Sequence, residues 1–323
     1  MTQAPDPWVL IADIGGTNAR FAAVSRSTGL AGAPVVLPTK GHPTFLDAYE
    51  MVLASLRDRP GLCGLVLALA GPIDAGRVKL TNAEWHIDAA EIAAATGIAD
   101  VELVNDFEAL ALGLPDLGGK CCEVLQPGVP VPGGNLAVVG PGTGLGVAGM
   151  VALPGGGWRV LCGEGGHATF APETELEWRV AQELKSLHGR VSTERIASGQ
   201  GLVDVAAILG ADPAITTPAE VVAAAEEGGS PQCFAALRMF LIAVGRCAGD
   251  VALTVNATAG VYLGGGILPR IAAAADWSPL LDAFRDKGRN AERMRRIPVR
   301  LIVDPNPALI GLSARARLIL TRR

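Results

Sequence analysis

The chain has 323 residues, is 50% hydrophobic and carries a formal net charge of −5, enough apolar material for a sizeable core and, at ~150 residues each, for about two domains. Its 27 basic residues are outnumbered by 32 acidic ones and are spread along the sequence, which argues for a small-molecule partner, with no nucleic acid and no membrane. Six cysteines lack any C-x-x-C spacing, and the apolar run after the first residues stops at Asp13, so neither a zinc site nor a secretory leader is expected and the expected location is cytoplasmic.

In chain order, Val9 to Ala12 reads as a buried strand, followed by Asp13-Ile14-Gly15-Gly16-Thr17-Asn18 and the β-like Phe21 to Val24. Thr44 starts a helix over Phe45 to Arg57, Leu65 to Ala70 is a strand, and Asp88 with Glu91 predicts a capping box on a helix closed by Gly97. Val101 to Val104 is a strand leading into Asn105-Asp106. Leu136 to Val139 is another, followed by Gly140-Pro141-Gly142-Thr143-Gly144-Leu145-Gly146 and the β-like Val147 to Val151. Pro172 to His188 reads as a helix closed by Gly189, and Thr216-Thr217-Pro218 starts a shorter one. A long apolar helix from Ser230-Pro231 towards Val255 is interrupted by Arg238, Arg246 and Asp250, which predicts a buried central helix rather than a membrane span. Val261 to Leu263 and Leu301 to Val303 are the last strands.

This alternation indicates α/β architecture. Strand, glycine turn and strand occur twice, which suggests two related halves. A small domain over 1–108, completed by about 300–323, and a large domain over 109–299 are expected.

Glycines let backbone N–H groups approach an anion, and a threonine hydroxyl adds a donor, so the two loops read as a duplicated phosphate grip. A Rossmann or Walker loop would need a helix directly behind the glycines, and no G-K-[ST] occurs. Phosphoryl transfer to an alcohol needs phosphate donors, a divalent ion and a carboxylate to take the hydroxyl proton. Asp13 at a strand end can reach Mg²⁺ or cap a turn. Asp106 is the candidate general base, though Asn105-Asp106 also suits an Asx turn or helix cap. Glu164-Gly165-Gly166-His167 offers the mixed donors and acceptors that sugar hydroxyls demand. Gly264-Gly265-Gly266 admits either an adenosine or a sharp turn, while Glu194 reads as an ordinary charged helix start.

Taken in order, these segments resemble the bacterial glucokinase family, hexokinase-type members of the actin-like ATPase superfamily. Leu69-Ala70-Gly71-Pro72, Thr81-Asn82-Ala83-Glu84-Trp85, Asn105-Asp106-Phe107, Gly163 to His167 and Glu194-Arg195-Ile196-Ala197-Ser198-Gly199 carry the likeness beside the two glycine loops. The resemblance implies a two-domain, ribonuclease H-like α/β fold with an interdomain cleft. It implies ATP-dependent phosphorylation of D-glucose at the 6-hydroxyl, with Asp106 as base and Asn105, Asp106, Glu164, His167 and Glu194 binding the sugar. Gly15, Gly16, Thr17, Asn18, Gly142, Thr143 and Gly144 would clasp the ATP phosphates, Gly265 and Gly266 would meet adenosine, and Asp13 would help hold Mg²⁺. A homodimer is also implied. Pro141 stands where relatives often have alanine, and the absence of cysteine from Ala168 to Ala181 favours the zinc-free group. A sugar-sensing regulator lacks its DNA-binding module before Val9, and a motor-type actin-like ATPase leaves Glu164 to His167 unexplained.

Overall fold

The apolar runs form strands and the capped segments between them form helices, in a computed structural model that describes residues 6–56, 60–71, 73–79, 85–226, 229–272 and 275–322. The chain divides into two units, Met1–Gly118 with Pro305–Arg323, and Gly119–Asp304. Unit 1 holds β1 (Trp8–Ile14), β2 (Asn18–Ser25), β3 (Gly29–Pro38), α1 (Phe45–Ser55), β4 (Leu62–Leu69), β5 (Arg77–Lys79), β6 (His86–Asp88), α2 (Ala89–Thr96), β7 (Asp100–Asn105) and α3 (Asp106–Gly113). Unit 2 runs through β8 (Cys122–Gln126), β9 (Leu136–Pro141), β10 (Leu145–Ala152), β11 (Trp158–Gly163), α4 (Glu175–His188), α5 (Gly199–Ile208), α6 (Pro218–Glu226) and α7 (Pro231–Thr254). It ends with β12 (Gly260–Leu263), α8 (Leu268–Ile271), α9 (Ser278–Arg285), α10 (Ala291–Arg296) and β13 (Val299–Ile302), after which α11 (Pro307–Thr321) returns to unit 1.

The sheet of unit 1 has the order β3-β2-β1-β4-β7. Its first two pairings are antiparallel, and β1, β4 and β7 run parallel, with Ile14 opposite Leu69 and Leu69 opposite Asn105. The carboxyl ends of these three strands therefore share one edge, where ligands bind in α/β sheets. Unit 2 repeats the arrangement as β11-β10-β9-β12-β13, with β8 added antiparallel at the far edge. The duplication suggested by two glycine loops is thus a duplication of sheet topology.

The unit 1 sheet is covered on both faces, as strands apolar on both sides require, and the unit 2 sheet packs its core against α7. In unit 1, α1 brings Phe45, Tyr49 and Val52 against Leu10, Leu65 and Leu67, while α11 covers the other face with Leu309, Leu312 and Ile319 against Val9, Ile11 and Val66. In unit 2, α7 lays Phe240, Val244 and Ala248 against Val139, Val261 and Leu263. Burying each such side chain contributes about 1.5–3 kcal/mol.

Several boundaries differ from the sequence reading. The division falls after Gly118 rather than at residue 108, because α3 continues to Gly113 and packs within unit 1. The last strand does not complete the first half: β13 lies between β12 and β8 in unit 2, and α11 alone returns. Asp88 caps α2 by accepting from Ala90 N and Glu91 N, without the reciprocal bond of a capping box, whereas Thr44 with Asp47 and Thr174 with Glu177 form true boxes on α1 and α4. The sequence shows no signal for β3, which contains Pro34 and ends at Pro38, and these prolines are tolerated because β3 is the edge strand. Arg57, the expected end of α1, lies outside the described residues.

Candidate active site

In unit 1, the turn between β1 and β2 is closed by Gly15 N donating to Asn18 O at 3.0 Å. It is pinned from β3's end by Thr39, whose N–H donates to Thr17 O at 2.9 Å and whose hydroxyl donates to Gly15 O at 3.2 Å. Gly15, Gly16, Thr17 and Asn18 thus form a short hairpin connection with strands on both sides. Asp13 precedes it on β1, opposite Arg20 on β2, with Oδ2 3.8 Å from the guanidinium. Burial pushes the Asp13 carboxyl above the ordinary carboxylate range, and Arg20 offsets part of that effect.

At the same sheet edge, β7 ends in Asn105 and α3 begins at Asp106. Asn105 Oδ1 accepts from Phe107 N at 2.8 Å and Glu108 N at 3.3 Å, while its amide donates to Gly71 O at 3.1 Å. The helix-cap alternative for this dipeptide therefore holds for Asn105. Because the cap consumes Asn105's oxygen, the asparagine orients the helix start while Asp106 occupies its first position. Asp106 Oδ1 accepts from Phe107 N at 2.8 Å, and the positive end of α3 favours its carboxylate. Of the neighbouring motif, Thr81 to Glu84 and Pro72 lie outside the described residues. Trp85 is core: it is 1% exposed and donates to His42 O at 2.8 Å.

In unit 2, the second loop is closed by Gly142 N donating to Gly144 O at 2.8 Å, between β9 and β10. Two further segments meet it. The start of α5 donates Gly199 N to Gly142 O at 2.8 Å. The Gly264 to Gly266 turn leaves β12 with Gly264 N bonded to Val139 O at 2.9 Å, and Gly265, at φ +81°, lies so close to Pro141 O that a Cβ could not be placed. Gly266 borders a 240 Å³ cavity lined by Pro218, Val222, Ile267 and Arg270. Thr143 sits at the tip of the loop, between these glycines.

The sugar-type segments complete the group. Glu164 precedes a single helical turn at Gly165–His167 that ends in His167, and Glu194 lies in another at Thr193–Arg195. His167 stands between both carboxylates, Nε2 3.8 Å from Glu164 Oε2 and Nδ1 3.9 Å from Glu194 Oε1. These spacings are too long for direct hydrogen bonds and suit a bridging hydroxyl. Glu164 is 71% exposed and His167 55%, whereas Glu194, at 26%, is held by Leu145 N donating to its Oε2 at 2.8 Å. Gly166 packs directly on Leu145 O, where any side chain would collide with the backbone. Each unit therefore gathers its own expected residues. The supporting contacts of Thr39, Gly71 and Leu145 each involve a backbone group on at least one side, and no motif in the sequence announces them.

Among the described residues, no group of three His, Cys, Asp or Glu side chains is arranged to hold a metal ion, and no helix is long and apolar enough to cross a membrane.

Comparisons with known proteins identify the family and the fold. A family model described as Glucokinase matches residues 10–319. The chain is 39% identical to a glucokinase of Chromobacterium violaceum over 97% of this chain and 90% of that one. It is 40% identical to one of Nitrobacter hamburgensis, over 94% and 95% respectively. Among solved structures, glucokinase from an Antarctic psychrotroph superimposes with a TM-score of 0.85 at 33% identity, covering 96% of this chain and 99% of that one. A ROK family glucokinase from Streptomyces griseus, in complex with glucose and AMPPNP, shares the fold at 19% identity and a TM-score of 0.59, over 96% and 99%. Matched over nearly its whole length in sequence and in fold, the chain belongs to the glucokinase family of enzymes, on an actin-like ATPase fold.

Proposed function

We propose that this enzyme transfers the γ-phosphoryl group of ATP to the 6-hydroxyl of D-glucose, giving glucose 6-phosphate and ADP, the first step of glycolysis. One observation carries the reading: in unit 2 a polyol-type cluster, Glu164, His167 and Glu194, is bonded directly to a glycine loop of phosphate-binding type through Leu145. The names of its relatives and the glucose and AMPPNP in the Streptomyces griseus structure support the same substrates.

In this reading Asp106 accepts the 6-hydroxyl proton as the oxygen attacks, so that negative charge does not build on the nucleophile. Asn105, Glu164, His167 and Glu194 hold the remaining hydroxyls, and a site built to bond hydroxyls discriminates strongly against analogues lacking them. Gly15 to Asn18 and Gly142 to Gly144 supply N–H donors to the phosphates, and Gly265 and Gly266, beside their cavity, receive the adenosine. Asp13 suits Mg²⁺: its carboxylate is burial-stressed and balanced by one guanidinium at 3.8 Å, and a single carboxylate completed by phosphate and water oxygens is an ordinary magnesium site. Bound there, the ion neutralises charge on the transferred phosphoryl group. A cytoplasmic homodimer belongs to the same reading, its assembly measurable by light scattering.

Replacing Asp106 with Ala tests the assignment by coupled assay and calorimetry together. The expected outcome is a fall in kcat of about 10²–10⁴ with glucose still bound. Retained turnover would remove Asp106 as base, and loss of glucose binding as well would make it a ligand or structural residue.

A further inference from the structure

Glu194 faces two ways. One carboxylate oxygen lies 3.9 Å from His167 Nδ1, on the sugar side, and the other accepts from Leu145 N at 2.8 Å, at the end of the second glycine loop. The turn that carries it is itself fixed: Thr193 N donates to Ala168 O at 2.8 Å, just after His167, and Ala197 N donates to Thr193 O at 2.8 Å. The next residue, Ser198, caps α5 by accepting from Gly201 N at 3.1 Å, and Gly199 N binds Gly142 O. The loop from Gly142 to Leu145 is thus held at both ends by the segment 194–199. Gly144 adds an independent observation. A Cβ there would come within 2.5 Å of Glu194 Oε2, a contact that real side chains do not make. The three atoms nearest to such a Cβ all belong to Glu194, so a side chain at 144 would displace its carboxylate from Leu145 N.

We infer that Glu194 is a positioning residue that locks the second phosphate loop to the sugar segment, so that glucose and nucleotide bind with positive coupling, and that residue 144 is glycine to admit its carboxylate. The inference rests on the sugar and ATP assignments proposed above. Physically, sugar hydroxyls that fix the Glu194 side chain also fix the acceptor of Leu145 N–H, and a loop already ordered by the sugar loses less conformational freedom when phosphates bind. By linkage the effect is reciprocal.

The test compares glucose affinity by calorimetry in the absence and presence of AMPPNP with Mg²⁺, for the wild type, E194Q, E194A and G144A. In the wild type, nucleotide is expected to tighten glucose binding by about fivefold or more. E194Q keeps an acceptor oxygen and is expected to retain most of that ratio, whereas E194A and G144A should bring it close to one. A wild-type ratio of one overturns the inference. So does a wild-type ratio preserved in E194A or G144A, even with weaker glucose binding throughout, since Glu194 would then be a sugar ligand without a positioning role. If G144A does not fold, as seen in its melting curve, the contrast between E194Q and E194A decides the matter. Failure of the wild type to bind glucose under either condition would overturn the sugar assignment itself, a result distinct from bound glucose without coupling.

Discussion

Asp13 shows most directly how one residue separates function from stability. It lies on a strand whose neighbours are fully buried, and burial raises its carboxyl pKa while Arg20 opposes the shift. Because the folded-state value exceeds the unfolded one, the ionised group costs stability; the penalty grows as pH rises between the two values and is complete above the folded-state one. D13N is therefore expected to keep or raise the melting temperature at pH 7 while losing most ATP-dependent turnover. A clear drop in melting temperature would identify Asp13 as a structural turn residue instead. The thiols carry the same sign on the alkaline side. Burial pushes Cys122 up to about 11 and Cys247 up to about 12, so their stabilising contribution is complete below the unfolded thiol range near ~8.5 and is lost as pH rises towards those values. At pH 8 a thiol reagent should modify exposed Cys162 in the native enzyme well before either buried cysteine, which mass mapping of the labelled sites would check.

At the scale of elements, the junction of α4 and α7 depends on charge buried with partners. Glu177 closes the α4 capping box, accepting from Thr174 N at 3.1 Å and Glu173 N at 2.7 Å, and is 3% exposed. Arg246 of α7 reaches its other oxygen at 3.0 Å and Glu173 at 2.7 Å. Replacing Arg246 with Met leaves that carboxylate without its counter-charge and is expected to cost about 3–5 kcal/mol in urea unfolding, whereas R246M combined with E177M should recover part of it. An unchanged midpoint in R246M would show that the two backbone N–H groups suffice. Arg246 is one of the charges that argued in the sequence against a membrane span for α7, yet nothing in the sequence pairs it with Glu177, 69 positions away. The helix caps were readable because a cap and its donors lie within three residues. β3 was not, because its prolines contradict strand propensity and its place at a sheet edge is a tertiary fact.

At the scale of the whole molecule, the chain builds one sheet pattern twice and closes the first copy with its last helix. Leu312, fully buried in α11, packs in the cluster containing Val9, Ile11 and Val66, contacts that join residues some three hundred positions apart. L312A is expected to destabilise unit 1 by about 2–5 kcal/mol, measurable as a lower denaturant midpoint. Destabilisation below 1 kcal/mol would mean that α11 adds little to that core.

The order of the motifs along the chain was sufficient to establish the α/β class, the paired hairpin loops and the glucokinase family, and to single out Asp13, Asp106, Glu164 and His167 as the residues proposed for its chemistry, because each rests on a short local pattern. Which sheet receives β13, that the Asn105 oxygen is taken up in capping α3, that Thr39 pins the first loop and that Glu194 accepts from Leu145 N were decided by tertiary structure alone. Each of these depends on a backbone atom or a distant carboxylate meeting its partner, and a sequence records side-chain identities but not which backbone groups lie close enough to bond.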